Sequence, residues 1–119
     1  MDETNFDRRL TTVLRAMGWA YILFDYEGNY LAWKKGPGRD FLKSDEEMTG
    51  ANFQTIGLPE DIRRQLAIEM ALAIDNGRMR EFFYEGERDG KWCRFMNRLV
   101  PIPENREVML FLSEVKPEG

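Results

Sequence analysis

The side chain with the clearest chemical potential is Asn97. In the stretch WCRFMNRLV it shares one strand face with Cys93, Phe95 and Leu99, because successive strand side chains alternate between faces. An amide on an apolar, inward face must find hydrogen-bond partners, and these are either neighbouring protein groups and water or a bound molecule. Trp33, Phe53, Met70, Tyr84 and Phe95 could line an apolar ligand cavity around it, although residues of these types more commonly form plain core. The hydroxyls of Tyr21 and Tyr84 could orient a ligand. Cys93 could act as a redox-reactive thiol, but a thiolate needs an electropositive and accessible setting, and free cysteines are mostly buried.

The chain has no histidine, which removes the commonest general base, haem ligand and zinc ligand together. Acid–base catalysis would then fall to a carboxylate, Asp25 or Glu81, raised in pKa by an apolar pocket, with a tyrosine at the oxyanion. No paired constellation of that kind is visible, and Asp25 reads more simply as a turn residue. Arg78, Arg80, Arg88, Lys91, Arg94 and Arg98 give the last third a basic flavour, but Glu81, Glu85, Glu87 and Asp89 are interleaved with them. Cross-strand ion pairs on a solvated face account for that mixture. Acidic residues outnumber basic ones, 21 to 17, and a net charge of −4 offers no attraction to nucleic acid.

The chemistry must be held by a single domain's worth of chain. At 119 residues, 43% hydrophobic and 32% charged, the composition is that of one soluble globular unit. One cysteine permits no internal disulfide, so a reducing compartment, the cytoplasm, is expected. No run approaches the roughly 20 apolar residues of a membrane span.

Residues 4–17 place Phe6, Leu10, Val13, Leu14 and Met17 at helical spacing, with Thr4 as a cap and Gly18 as a stop. This amphipathic helix either folds onto its own sheet or pairs with a second subunit, because periodicity reveals a buried face and not its partner. WAYILFD and YLAWK read as two strands joined by a turn at Glu27 to Asn29. Gly36, Pro37 and Gly38 break the pattern, and Ser44 with Glu47 forms a capping box that opens a short helix ended by Gly50. A long helix follows over 59–76, with Pro59 at its first position, a stripe of Ile62, Leu66, Met70 and Ala73 widened by Ile74, and a stop at Asn76-Gly77. Three strands complete the chain, the first two joined by the hairpin signal Asp89-Gly90. The last is apolar on both faces, Val108, Leu110 and Leu112 alternating with Met109 and Phe111, as befits a central strand covered on both sides. The fold class is α+β, with residues 1–18 an N-terminal helix, 19–115 the domain proper and 116–119 a polar tail or linker.

Three stretches carry a family resemblance: FDYEGNYLAW in the first hairpin, FLKSDEEMTGANF in the connector and GKWCRFMNRLVPI in the penultimate strand. Their order and spacing resemble PAS sensor domains over residues 19–115. The resemblance implies a five-stranded antiparallel sheet of order 2-1-5-4-3, with helices enclosing a pocket against one face and Phe53 turned inward. It also implies a sensory or dimerising role beside an output domain such as a histidine kinase or diguanylate cyclase. Lys34 and Lys35 stand where many members have Asn. The reactive Cys of photoactive flavin members is missing from the segment before the long helix, and haem-binding members usually supply a histidine, so neither cofactor is expected. Three functions therefore compete. One is a small-molecule sensor; another is a ligand-free homodimerisation module built on Phe6, Leu10, Val13, Leu14 and Met17. The third is a small enzyme with a carboxylate base.

Overall fold

Period-two alternation puts an apolar face on β1 (Ala20–Asp25), β3 (Arg80–Arg88), β4 (Lys91–Ile102) and β5 (Glu107–Val115), while in β2 (Tyr30–Lys34) a register shift against β1 sets Tyr30 and Trp33 opposite the inward Phe24 and Ile22. They form one antiparallel sheet in the order β2-β1-β5-β4-β3, the order that the resemblance implied. The protein is seen here as a computed structural model that describes residues 3–35, 43–88 and 90–115. Outside the described residues lie the Gly36-Pro37-Gly38 break, the Phe41-Leu42 turn, Asp89 and the tail from Lys116, and the side chain of Phe6 is not described either.

Register brings the buried side chains together on the inner face. Ile22 lies opposite Leu110, and Phe24 opposite Val108, where β1 meets β5. Leu99 lies opposite Leu110, and Asn97 opposite Leu112, where β4 meets β5. Phe82 faces Asn97 from β3. Helix α3 (Glu60–Asn76) covers this face, burying Ile62, Leu66, Met70 and Ala73, whose spacing forms a single stripe. Pro59 caps the helix instead of opening it: its ψ of 142° is extended, and the helix begins at Glu60. Arg80 on β3 ties the helix to the sheet through Glu69 on α3, with Nε donating at 2.7 Å.

Helix α1 (Glu3–Ala16) takes the other face, and Thr4 lies within it instead of capping it. Leu10 and Leu14 border a groove whose floor is Tyr21, Leu23, Ala32, Met109 and Phe111. The backbone N–H of Trp19 donates to the Leu14 carbonyl at 2.9 Å, turning the chain directly from the helix into β1. Leu14 is half-buried beside this groove, while Leu10, Val13 and Met17 of the same stripe remain 46%, 52% and 63% exposed. The solvated end of the outer face carries the expected cross-strand ion pairs, Arg98–Glu81 at 2.9 Å and Arg94–Glu85 at 3.7 Å.

Candidate ligand cavity

Where α3 crosses the sheet, the two layers enclose a cavity of about 40 Å³. The sheet contributes Ile22, Phe24, Phe82, Leu110, Leu112 and Asn97. Leu58, Ile62 and Leu66 close it from the helix side, and Tyr30 of β2 completes the wall. None of these side chains is charged. Asn97 is 3% exposed, and its Nδ2 donates to the Phe95 carbonyl at 3.4 Å, a long hydrogen bond. Burial pushes the Tyr30 phenol up to about 12, so it stays protonated at any physiological pH.

Of the six residues that sequence offered as a pocket lining, Asn97 lies on the cavity wall and the other five lie in or against the surrounding core, while Tyr21 lies on the opposite face of the sheet. Phe95, fully buried, faces Tyr84 across β3 and β4. Met70 is one helical turn beyond Leu66. The Tyr84 hydroxyl donates weakly to Asp61 Oδ1 at 3.5 Å, and burial, then the Asp61 charge, raises its pKa. Phe53 packs edge-on against Phe24 with ring centres 5.7 Å apart. Trp33 meets Tyr30 edge-on, and its indole N–H donates to Asp45 Oδ1 at 2.8 Å, anchoring the short helix α2 (Asp45–Met48). Tyr30, Phe82 and Leu112 were not singled out. The inward alternation of β3 and β5 was the only available signal for the last two.

The connector reaches the sheet through a polar latch. Asp25 Oδ1 accepts from the backbone N–H groups of Glu27 and Asn29, at 3.0 and 2.9 Å, and Oδ2 accepts from Asn29 Nδ2 at 2.9 Å. Asn52 Nδ2 then donates to the Glu27 carbonyl at 2.8 Å and to Asn29 Oδ1 at 2.9 Å. Two backbone bonds complete the junction: Phe53 N–H to the Gly28 carbonyl and Tyr30 N–H to the Ala51 carbonyl. Asp25 therefore organises a turn, and Glu81 is paired with Arg98 on the outer face. Neither carboxylate lines the cavity, which removes both as the general base weighed from sequence. Cys93 is buried, with Sγ 3.6 Å from the Lys91 carbonyl, a setting opposite to that of a reactive thiol.

The latch makes a pH prediction. Partial burial raises the Asp25 pKa, but hydrogen bonds from the Asn29 side chain and the Asn29, Glu27 and Gly28 backbone outweigh it and leave the pKa below 3.8. A depressed folded-state pKa gives stability that is complete above 3.8 and is lost as pH falls through the folded value. Asp25→Asn should flatten the acid limb of stability against pH below about 4, as read by urea titrations from pH 2 to 7. An unchanged acid limb would show that Asp25 does not carry it.

A five-stranded antiparallel sheet in this order, with helices over one face enclosing a cavity, is the PAS-like fold. No protein-family model and no curated protein sequence matches the chain. Solved structures do. A sensory box sensor histidine kinase from Vibrio cholerae is similar with a TM-score of 0.58 at 12% identity, covering 97% of this chain and 95% of that one. The PAS domain of BvgS from Bordetella pertussis gives 0.60 at 8% identity, over 97% and 88%. A domain of an HTR-like protein from Haloarcula marismortui gives 0.57 at 15% identity, over 83% and 99%. At such identities the likeness concerns the fold.

Proposed function

We propose that this domain is the sensory module of a signal-transduction protein and binds a small molecule between α3 and the sheet. The observation that carries the reading is Asn97, a buried amide on the wall of an otherwise apolar cavity. Asn97 orients the ligand in this account, and Trp33, Phe53, Met70, Tyr84 and Phe95 form the shell that holds the wall in shape. Cavities for drug-sized ligands run to about 300–1,000 Å³, so at about 40 Å³ this one suits a small ligand unless α3 moves outward. Occupancy that favours one packing of α3 on β3 and β4 would shift α1 and the exit after Val115. The regulated partner would be a histidine kinase or diguanylate cyclase domain in the cytoplasm, a reading supported by the sensor kinase among the similar structures. The domain itself does no chemistry in this account. Native mass spectrometry of freshly purified protein tests it: a bound small molecule, lost in Asn97→Leu, is expected, and the bare polypeptide mass in every preparation would count against it.

A second reading is favoured by α1. Val13, Met17 and Leu10 are exposed along one stripe of a helix whose Leu14 borders the groove over the sheet, so this stripe would be covered by the same helix of a second copy. Sedimentation should then show a concentration-dependent homodimer, abolished by Val13→Glu or Met17→Glu without loss of folding. A monomer at high concentration would remove this reading.

A further inference from the structure

The cavity wall limits what kind of molecule can bind, a narrower conclusion that rests on the sensory-module reading. Asn97 offers two donors and a carbonyl with two lone pairs. Among the described residues its amide makes one hydrogen bond, the 3.4 Å contact to the Phe95 carbonyl. Its cross-strand neighbours on the inner face are Phe82 and Leu112, and its own strand places Phe95 and Leu99 beside it. The amide lines the cavity, so its unused capacity is available to a molecule held there.

Three features narrow the occupant. A volume of about 40 Å³ exceeds the roughly 10–15 Å³ that one water requires, and is far too small for a haem or flavin with α3 in place. The wall holds no Lys, Arg, Asp or Glu, so an ion would be stripped of water without a counter-charge. Water alone is a poor occupant, because a well-held buried water has about three polar partners and this wall is apolar apart from Asn97 and Tyr30. A poorly held water is readily displaced by a molecule that brings apolar surface of its own.

We infer that the cavity takes an uncharged molecule of a few non-hydrogen atoms bearing a hydrogen-bonding group, which seats on the Asn97 amide while its apolar part lies against Ile62 and Leu66 of α3. Carboxylates and other ions of the same size are rejected.

Acetamide and acetate have nearly the same shape and differ in charge, so they test this directly, with xenon as an apolar probe of the cavity itself. The readout is methyl NMR of Ile22, Leu66 and Leu112 in the intact protein at pH 7. Xenon and acetamide should both shift these methyls, with acetamide at least about tenfold tighter than acetate. Asn97→Leu should weaken acetamide by about tenfold and keep xenon binding, which also reports that the variant is folded. Asn97→Val serves if leucine overfills the site. Xenon without acetamide, or acetate as tight as acetamide, would each overturn the inference and leave the cavity reading standing; acetamide unaffected by loss of Asn97 would overturn the inference together with the ligand-orienting role given to Asn97. No response to any probe, xenon included, would overturn both, leaving a site that holds water only or nothing.

Discussion

Replacing Gly28 with alanine should lower the melting temperature of this domain by about 10 °C or more. Gly28 has φ 91°, where a side chain costs about 1–2 kcal/mol, and a Cβ there would stand 2.5 Å from Phe53 Cε1 and 2.7 Å from Cδ1. The Phe53 ring is buried against Phe24 and has nowhere to swing, so overpacking adds about 1–3 kcal/mol. Together these consume a large share of the roughly 5–15 kcal/mol that holds a domain folded. Gly50 is the control: its φ is 73°, but no atom lies within 4 Å of an added Cβ. Gly50→Ala should show the backbone cost alone. Equal melting shifts for the two variants in circular dichroism would mean that the Gly28–Phe53 contact does not close the connector onto the hairpin.

Phe95→Ala should cost about 3–5 kcal/mol, the range for deleting a buried ring and leaving its cavity behind. Phe95 is fully buried in the middle of β4, with Tyr84 across one neighbour and Glu114 across the other. Trp92, three residues earlier and 72% exposed, provides the contrast, and Trp92→Ala should stay within about 0.5 kcal/mol. Urea midpoints read both. A loss below about 1 kcal/mol for Phe95→Ala would mean that the inner face is not packed as described.

What the sequence revealed of this fold came from local chemistry. Ser44 and Glu47 form their capping box, with Glu47 N–H donating to Ser44 Oγ at 3.2 Å, because both partners lie within one helical turn. The strand periods were equally readable, and they placed Asn97 inward with Cys93, Phe95 and Leu99. Asn52 is the counter-example. It reads as one member of a connector motif, yet it joins the Glu27 carbonyl 25 residues away, a partnership that no local pattern contains. The cavity was illegible for the same reason. Tyr30, Ile62, Phe82 and Leu112 come from four elements, and periodicity assigns each to a face without saying which four converge. Trp33 shows the cost of that gap: as an aromatic on β2 it suggested a pocket wall, but its indole is used to hold α2 through Asp45.

The central claim, that a small molecule occupies the space between α3 and the sheet, is tested most directly by the melting temperature of the purified domain across a broad panel of small metabolites. A ligand present at 100 times its Kd stabilises the folded state by about 2.7 kcal/mol, which is several degrees for a domain of this size. The account predicts such a rise for at least one compound and its loss in Asn97→Leu. A flat response across the panel, or a rise that survives the loss of Asn97, would contradict it.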